Sequence, residues 1–393
     1  MRVLVVHNRY RLEGGEERAV ELQLDALRRA GIVHALLERS SAEVTRSGAA
    51  RALLRGGRAE DDVAAAAREL RADVVHFHNM LPLFGPRSLA AAREVGARVV
   101  LQLHNLRLFC AIGVAARDGG PCFRCHHRFT LPGLALNCRG SVPEAAVYAA
   151  ALARHQPAVI RAVDTFMVPS RYAGGQVAEL GLPSTGVEVV PHYLPESAFA
   201  HHSRADEGLH ALVAARLSPE KGIDTAIEAS ARAAVPLKIA GEGPLRAELE
   251  QLAARLGAPV RFLGRLDRQA LGRELAAAAM LLLPSRYHEF APYAVLEAMA
   301  AGVPVLVTTL GGPPELAGEG RSVPPNEPEA LAARMAELWE SPDLRGREGD
   351  AVLARANDGH GERAYVRSLL SVYGEPAAER PARGGRPDAK ALV

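Results

Sequence analysis

The chain has 393 residues, of which 48% are hydrophobic and 23% are charged, and its formal net charge is +2. This length is typical of two domains, and the composition is that of an ordinary globular protein. Because the charge is nearly balanced, we expect no general electrostatic attraction to nucleic acid and no nucleic-acid partner.

The first residues predict a buried strand rather than an export signal. The apolar run Val3–Val6 ends at His7, so it is too short for the hydrophobic core of a signal peptide. No stretch of the sequence reaches the roughly 18 apolar residues of a membrane-spanning helix. We therefore expect a cytoplasmic protein, in a compartment where thiols stay reduced.

Short apolar runs alternate with amphipathic helical patterns over residues 1–198, the predicted first domain. The strands predicted there cover residues 2–7, 33–38, 73–77, 98–103, 164–168 and 187–190. Helical patterns fill most of the gaps, for example Glu16–Ala30 and Pro86–Val95. Near-continuous apolar strands that alternate with helices indicate a parallel sheet covered on both faces, as in a Rossmann-like domain.

A glycine pair, Gly14 and Gly15, follows the first predicted strand and opens a helix. Such a pair lets backbone approach a bound phosphate closely, although an ordinary glycine-rich turn is the alternative. No G-x-G-x-x-G follows a strand in this sequence, which argues against a dinucleotide-dependent oxidoreductase.

A polar segment of about 107–140 contains every cysteine of the chain: Cys110, Cys122, Cys125 and Cys138. The middle two form a C-x-x-C, and four thiolates match the tetrahedral ligand set of a structural zinc ion. A bound metal would hold together a segment too polar to fold alone, with His126 and His127 as spare ligands. Reduced thiols and disulfides are the two alternatives.

Four arginines punctuate a helical stretch near residues 44–58, at Arg46, Arg51, Arg55 and Arg58. They would suit an anionic lipid acceptor or a membrane surface, which makes peripheral membrane contact one interpretation. A solvated helix face is the alternative.

The irregular polar segment 195–208 predicts a linker, after which the strand–helix alternation starts again in a second domain, residues 205–375. The strands predicted there cover residues 209–214, 235–240, 259–263, 280–284 and 303–307. Ligands of open α/β sheets bind at the carboxyl ends of strands, so two such domains facing each other form one deep cleft. Residues 376–393 are rich in Pro, Gly, Ala and charge and are predicted to be disordered.

The segment 284–307 contains two glutamates, Glu289 and Glu297, separated by seven residues. Pro292 suits the first turn of a helix, which places Glu289 in the preceding loop and Glu297 about a turn and a half inside the helix. Free amides at such a helix N-terminus suit a phosphate. The candidate amide donors are those of Ala291, Tyr293 and Ala294.

A second segment, residues 214–228, places two cations where a predicted strand ends and a helix begins near Pro219. These cations, Arg216 and Lys221, are suited to neutralise a diphosphate leaving group without a metal ion. A solvated basic pair on a loop is the alternative.

Together these segments resemble the family 4 retaining glycosyltransferases, which have the GT-B fold. The two glutamates match that family's E-x7-E motif. Arg216 and Lys221 match its G-R-L-x-x-x-K-G segment, although Ala215 replaces the usual glycine. Gly241, in a G-x-G-P sequence, resembles the family's turn beside the nucleotide, and Gly14-Gly15 resembles its first glycine loop.

The resemblance implies two Rossmann-like domains that face a central cleft, with the last helical stretch, about 343–373, packing back on the first domain. It implies transfer of a sugar from a nucleotide-diphosphate sugar to an acceptor hydroxyl with retention of anomeric configuration. Glu289 would contact the donor sugar and Glu297 the ribose hydroxyls. No cofactor would be required for catalysis.

His104 ends the predicted strand 98–103, at a point where the family often has a histidine that contacts the donor sugar. A structural histidine is the alternative. The acceptor is left open between a polysaccharide, a glycolipid and a natural product. The alternative functions are those of a nucleotide-sugar epimerase, of an inverting transferase and of a non-catalytic nucleotide-sugar-binding protein.

Overall fold

The structure is a computed structural model that describes residues 1–10 and 14–374, so the predicted disordered tail, 376–393, lies outside the described residues. The strands in chain order are β1 (Arg2–Arg9), β2 (Val33–Ser40), β3 (Val74–Phe77), β4 (Arg98–Gln102), β5 (Ala116–Arg117), β6 (Gly120–Pro121), β7 (Thr165–Val168), β8 (Val187–Val189), β9 (His210–Ala214), β10 (Leu237–Ala240), β11 (Val260–Gly264), β12 (Ala278–Leu283), β13 (Val305–Thr308) and β14 (Ser322–Val323).

Helices fill the intervals between the strands. They are α1 (Gly15–Arg29), α2 (Arg46–Arg55), α3 (Glu60–Leu70), α4 (Gly85–Glu94), α5 (Leu131–Ala135), α6 (Val142–Ala162), α7 (Arg171–Glu179), α8 (Ile223–Ala233), α9 (Arg246–Leu256), α10 (Arg268–Ala276), α11 (Tyr293–Ala300), α12 (Pro313–Ala317), α13 (Pro328–Glu340), α14 (Pro342–Gly359) and α15 (Glu362–Tyr373).

The first sheet has six parallel strands in the order β2-β1-β3-β4-β7-β8. Val3–Val6 of β1 and all four residues of β3 are buried, because helices cover both faces of the sheet. The chain moves outward in opposite directions from β1 and β3, and a ligand cleft is expected at this reversal.

The second sheet also has six parallel strands, in the order β11-β10-β9-β12-β13-β14. All six residues of β12 are buried at its centre. The prediction of two parallel-sheet α/β domains is therefore confirmed. Each predicted strand agrees with an observed strand to within two residues at each end.

Two chain segments connect the domains, and they lie side by side. The first follows β8 and contains two short 3-10 turns, Glu196–Ala198 and Ala205–Glu207. The second joins α14 to α15, and these two helices make up the helical stretch predicted at about 343–373. Leu194 and Gly361 form a parallel β-bridge, and the Leu194 amide donates to the His360 carbonyl at 3.1 Å.

After this second connection, α15 packs against the first domain. Tyr373 at its end accepts a hydrogen bond from Gln23 Nε2 at 2.7 Å, and Glu362 at its start pairs with Arg29 at 2.8 Å. Tyr365 stacks on Tyr193 with the ring centroids 4.4 Å apart. The last described helix is thus held to the first domain by the buried contacts of Tyr365 and Tyr373 and by one exposed ion pair.

Candidate functional site

A cavity of about 580 Å3 lies between the two domains. On the first domain, its walls come from residues that follow β1, β4 and β8, and on the second from residues that follow β9 and β12. The site is therefore built at the carboxyl ends of both sheets. Among the predicted site residues, the cavity is lined by Gly14, Gly15, His104, Arg216, Lys221, Glu289, Ala291 and Tyr293.

Lys221 and Glu289 contact each other in this cavity. The Lys221 ammonium lies 3.0 Å from Glu289 Oε1 and 3.1 Å from the Tyr287 hydroxyl, and Ser285 also donates to Glu289. Burial alone would lower the pKa of Lys221, but the Glu289 carboxylate and Tyr287 outweigh it and raise that pKa above its usual value. Lys221 is therefore a firmly held cation.

The loop that carries Lys221 depends on the glycine that follows it. Gly222 has a left-handed conformation, with φ of +62°, and a Cβ there would lie 2.1 Å from the Pro284 carbonyl oxygen. Only a residue without a side chain allows the loop after β9 to lie this close to the loop after β12. This approach brings Lys221 to Glu289.

Arg216 is more accessible than Lys221. Its side chain is 54% exposed and pairs with Glu220 Oε1 at 2.7 Å, while it still lines the cavity. Arg216 is thus free to turn toward an anion in the cavity at small cost, because exposed ion pairs contribute little stability.

The loop before α11 carries Glu289, and Glu297 lies inside that helix. Pro292 is the N-cap of α11 rather than a residue of its first turn, and the helix begins at Tyr293. The amides of Ala291 and Tyr293 belong to cavity-lining residues, whereas Ala294 does not line the described cavities.

A second cavity, of about 700 Å3, adjoins the first and contains Glu297. Gly14 and Tyr293 line both cavities. Arg18 of the first domain lies 3.8 Å from Glu297 Oε1 across the cleft, and Glu21 pairs with Arg268 beside it. Burial raises the pKa of Glu297, which the charge of Arg18 partly offsets.

His104 belongs to a column of stacked rings that sequence reasoning did not find. Successive centroids are 4.8 Å apart from His76 to His78, 5.2 Å from His78 to His104, 6.2 Å from His104 to His192 and 4.4 Å from His192 to Tyr293. The column runs from the core of the first domain to α11 of the second. The sequence did contain one indication of this column, because a histidine stands within a predicted buried strand, as His76 does in β3.

Hydrogen bonds fix the protons of these rings. Gln23 Oε1 accepts from His78 Nε2, which leaves His78 Nδ1 to accept from His104 Nε2 at 2.9 Å. Burial lowers the pKa of His78 and of His104 well below the usual value, so both rings are neutral at physiological pH. His104 is then protonated on Nε2 and keeps Nδ1 as a hydrogen-bond acceptor.

Gly14 and Gly15 form the rim of the cavity beneath α1. The Gly14 amide donates to Glu17 Oε2 at 2.7 Å, which holds the start of the helix. A Cβ at Gly15 would lie 3.8 Å from the Tyr293 ring of the other domain, so backbone approaches the second domain closely here.

Next to this rim, Glu16 forms a polar cluster with Tyr10, Asn105 and Arg107 that sequence reasoning also missed. Burial raises the pKa of Glu16 to about 7, against the opposing charge of Arg107. These residues come from two separate segments, one after β1 and one after β4. No spacing within a single segment of the sequence therefore predicts the cluster.

Gly241 lies behind the cavities rather than in them. Its φ is +147°, and a Cβ would lie 1.9 Å from the Ala215 carbonyl oxygen, so a glycine is needed where the loops after β9 and β10 meet. Of the described cavities, neither of the two in the cleft is lined by Gly241. Its role in donor binding stays a prediction.

The cysteine segment folds beside the first-domain wall and includes the short hairpin β5–β6 and helix α5, which were not predicted. Its four cysteines are free, half-buried thiols that line one cavity of about 20 Å3: Cys110, Cys122, Cys125 and Cys138. Within residues 1–10 and 14–374, no three His, Cys, Asp or Glu side chains are arranged as a metal-ligand set. Burial raises the pKa of Cys125 to about 11.

This segment also reaches the second domain. Phe123 packs edge-on against His288 with the centroids 5.1 Å apart, and Asn326 Nδ2 donates to the Gly119 carbonyl at 3.2 Å. Residues at its start, including Ile112 and Val114, line the 580 Å3 cavity. The fold of the cysteine segment therefore shapes the cleft.

Three arginines of the predicted stretch, Arg46, Arg51 and Arg55, lie in α2, whereas Arg58 lies beyond the end of this helix. Arg46 is 85% exposed and lies 4.0 Å from Glu144. In the part of the chain that the structure describes, no helix has both the length and the apolar character needed to cross a bilayer. Peripheral membrane contact through these arginines stays a prediction.

Comparison with known proteins gives this site a context. Residues 196–352 match the family model of Glycosyl transferases group 1, a region that includes Arg216, Lys221, Glu289 and Glu297. An exopolysaccharide phosphotransferase of Streptomyces coelicolor is 32% identical over 53% of this chain and 22% of its own length. A GDP-mannose-dependent monoacylated alpha-(1-6)-phosphatidylinositol monomannoside mannosyltransferase of Corynebacterium glutamicum is 36% identical over 35% of this chain and 39% of its own length. The chain thus spans less than half of either relative.

Among solved structures, Anabaena HepE in complex with UDP and glucose covers 94% of this chain and 98% of its own, with a TM-score of 0.65 and 16% identity. This likeness is one of fold, and it extends over both domains. The predicted GT-B fold class is confirmed.

Proposed function

We propose that this protein is a retaining glycosyltransferase of family 4 that transfers a sugar from a nucleotide-diphosphate donor to an acceptor hydroxyl. The observation that carries the proposal is the meeting of Lys221 and Glu289 in a cavity at the carboxyl ends of both sheets. The match of residues 196–352 to the group 1 glycosyl transferases supports it.

In this proposal the donor lies along the second domain, across the two adjoining cavities. Glu297 binds the ribose hydroxyls, while Lys221, Arg216 and the amides at the start of α11 bind the diphosphate. Glu289 and His104 orient the sugar, with His104 Nδ1 accepting from a sugar hydroxyl. The UDP complex of Anabaena HepE, which shares the fold, supports a nucleoside diphosphate as the ligand class.

Catalysis comes from positioning and from stabilising the leaving diphosphate. Glu289 is already held by Lys221 and Ser285, which favours an orienting role over that of a nucleophile. The acceptor hydroxyl then attacks on the face from which the diphosphate leaves and passes its proton to the departing phosphate oxygen, so the anomeric configuration is retained. No cofactor takes part in this scheme.

For the cysteine segment, we propose a structural zinc ion held by the four thiols. The support is their convergence on a cavity of about 20 Å3, which has room for one water-sized particle. Because the described thiols are not arranged as a ligand set, the proposal requires that they close on the ion as it binds.

The first test is thermal unfolding with a panel of UDP-, GDP-, ADP- and TDP-sugars. A ligand that binds only the folded protein stabilises it by about 2.7 kcal/mol at a hundredfold excess over its dissociation constant. We expect one nucleotide class to raise the melting temperature of the wild type and of Glu340→Ala, an exposed control, but not of Glu297→Ala. If no nucleotide sugar stabilises the folded wild type, the donor site is wrong.

The stereochemical part of the proposal has its own test. Once a donor is known, nuclear magnetic resonance of the first-formed product reports its anomeric configuration. We expect the configuration of the donor. An inverted product contradicts retention, and an altered free nucleotide sugar without transfer indicates an epimerase.

A further inference from the structure

The first-domain wall of the 580 Å3 cavity carries a carboxylate and a guanidinium that the donor scheme does not use. Glu16 lies in the first turn of α1, directly after Gly15, and Arg107 lies three residues after His104. Both residues line the cavity, and both also line a smaller adjoining cavity of about 40 Å3. They belong to the domain opposite the one that carries Lys221 and Arg216.

Two neighbouring side chains hold this pair in place. Glu16 Oε1 accepts from Asn105 Nδ2, and from the Tyr10 hydroxyl at 3.4 Å. The Arg107 guanidinium lies over the Tyr10 ring, with Cζ 4.6 Å from the centroid, and the Arg107 amide donates to Asn105 Oδ1 at 2.8 Å. Tyr10 and Asn105 therefore fix both charged groups at once.

Each charged group keeps one buried atom without a partner. Glu16 Oε2 and Arg107 Nε are shielded from solvent and have no hydrogen-bond partner among the residues that the structure describes. A buried acceptor or donor left in this state costs free energy. Because neither atom is open to solvent, binding includes a small rotation of each side chain toward the cavity that both residues line, and a ligand group of complementary polarity then recovers that free energy. Glu16 Oε1 and the Arg107 amide already have hydrogen-bond partners. The atoms left for a ligand are therefore Glu16 Oε2 and Arg107 Nε.

The combination selects a chemical class. A lone arginine would favour a phosphate, but the carboxyl group of Glu16 beside it offsets that positive charge and repels anions once it is ionised, above its pKa of about 7. A hydroxyl can donate to Glu16 Oε2, and a neighbouring hydroxyl can accept from Arg107 Nε. Neighbouring hydroxyls of this kind occur in sugars and other polyols.

We propose that Glu16 and Arg107 form the acceptor subsite and bind the hydroxyls of a neutral sugar or polyol. The inference rests on the proposed glycosyltransferase function and adds the class of acceptor to it. Glu16 and Arg107 are binding residues in this scheme, since no proton transfer is assigned to either.

The experiment uses the full-length protein and the donor that stabilises it in the nucleotide panel. Four neutral probes, methyl glucoside, methyl galactoside, methyl mannoside and glycerol, are compared with one anionic probe, glycerol 3-phosphate. Mass spectrometry measures transfer to each probe. The dissociation constant of the donor and its hydrolysis by water are measured on the same preparations.

Glu16→Gln keeps the size of the side chain but replaces an accepting oxygen with a donor. We expect it to reduce transfer to the neutral probes by about 10- to 100-fold, the effect of one unmet hydrogen bond to a charged group. Donor affinity and donor hydrolysis should stay unchanged. Glu69→Gln, the same change at an exposed position of α3, should keep wild-type transfer. Arg107→Gln is the second variant and should show the same separation of transfer from donor binding.

Unchanged transfer in both variants overturns the subsite. Transfer by the wild type to glycerol 3-phosphate alone, or to none of the neutral probes although donor is bound, overturns the assignment to a neutral polyol. A wild type that binds no nucleotide sugar contradicts the proposed function itself. Donor binding thus separates a failure of this inference from a failure of the function on which it rests.

Discussion

At the scale of single residues, Lys221 is the most direct test of the diphosphate site. Its ammonium is fixed by Glu289 and Tyr287, so it is positioned before any ligand arrives. We expect Lys221→Ala to reduce turnover by about 10²- to 10³-fold, as for loss of one preorganised donor. Steady-state kinetics with the identified donor measures the turnover of the variant and of the wild type.

The matched control is Lys238→Ala. Lys238 forms an ion pair of 2.7 Å with Glu274, but it lies outside both cleft cavities. Its loss should leave turnover near the wild-type value. Near-normal turnover in Lys221→Ala would show that the diphosphate assignment is wrong.

Gln23 is a second residue with a specific consequence, because it sets the protonated nitrogen of His104 through His78. We expect Gln23→Leu to let both rings exchange tautomers and to lower kcat by about tenfold, in proportion to one weakened hydrogen bond to the sugar. Nitrogen-15 resonances of the histidine rings report the tautomers. A folded variant with unchanged kcat and mixed tautomers would contradict the role of this hydrogen-bond chain.

The residues found from the sequence share one property, which is a distinctive spacing within a short segment. Glu289 and Glu297 lie eight positions apart, and Arg216 and Lys221 five apart, around strand ends that apolar runs reveal. Glu16 and Arg107 meet only because β1 and β4 end at the same edge of one sheet. Contacts between distant segments of this kind depend on the fold and leave no local pattern.

At the scale of elements, the long strands were predictable because buried parallel strands are near-continuous apolar runs. The hairpin β5–β6 and helix α5 were not, since they have two and five residues and lie in a polar segment. What fixes them is packing around the four thiols and against the second domain, and hydrophobic periodicity does not report such packing.

The proposed zinc ion would be bound by the cysteine segment, which contains this hairpin and this helix. We expect the purified protein to contain about one zinc ion per chain, because four thiolates complete a tetrahedral site. Cys125→Ser should lose the metal and lower the melting temperature, whereas His126→Gln, at a spare ligand, should keep both. Elemental analysis and thermal unfolding measure these outcomes. Metal-free protein with four titratable thiols, or with two disulfides by mass spectrometry, would contradict the site.

At the scale of the whole molecule, two ion pairs join the domains across the second cavity, Arg18 with Glu297 and Glu21 with Arg268. Arg18 is paired with Glu297, the carboxylate that the proposal assigns to the ribose hydroxyls. A bound donor must therefore displace Arg18 from Glu297. Arg18→Met should therefore tighten nucleotide binding by up to about fivefold, the value of a partly exposed ion pair.

Calorimetric titration with the identified nucleotide measures this change. Arg28→Met is the control, since Arg28 pairs with Asp25 of its own helix at 3.0 Å. Weaker binding by Arg18→Met would show that Arg18 itself contacts the nucleotide.

The paired connections between the domains have a consequence for how such a chain is assembled. Residues 195–360 leave the first domain after Leu194 and return to it at Gly361, and these two positions share a β-bridge. In the sequence, the second domain is thus an insertion into the first domain. In the folded protein, the two ends of this insertion lie next to each other. Two crossovers in the gene, one near the codon of Leu194 and one near that of Gly361, would exchange residues 195–360 between relatives without cutting either sheet. Under the proposed function, acceptor and donor preferences would then be inherited separately.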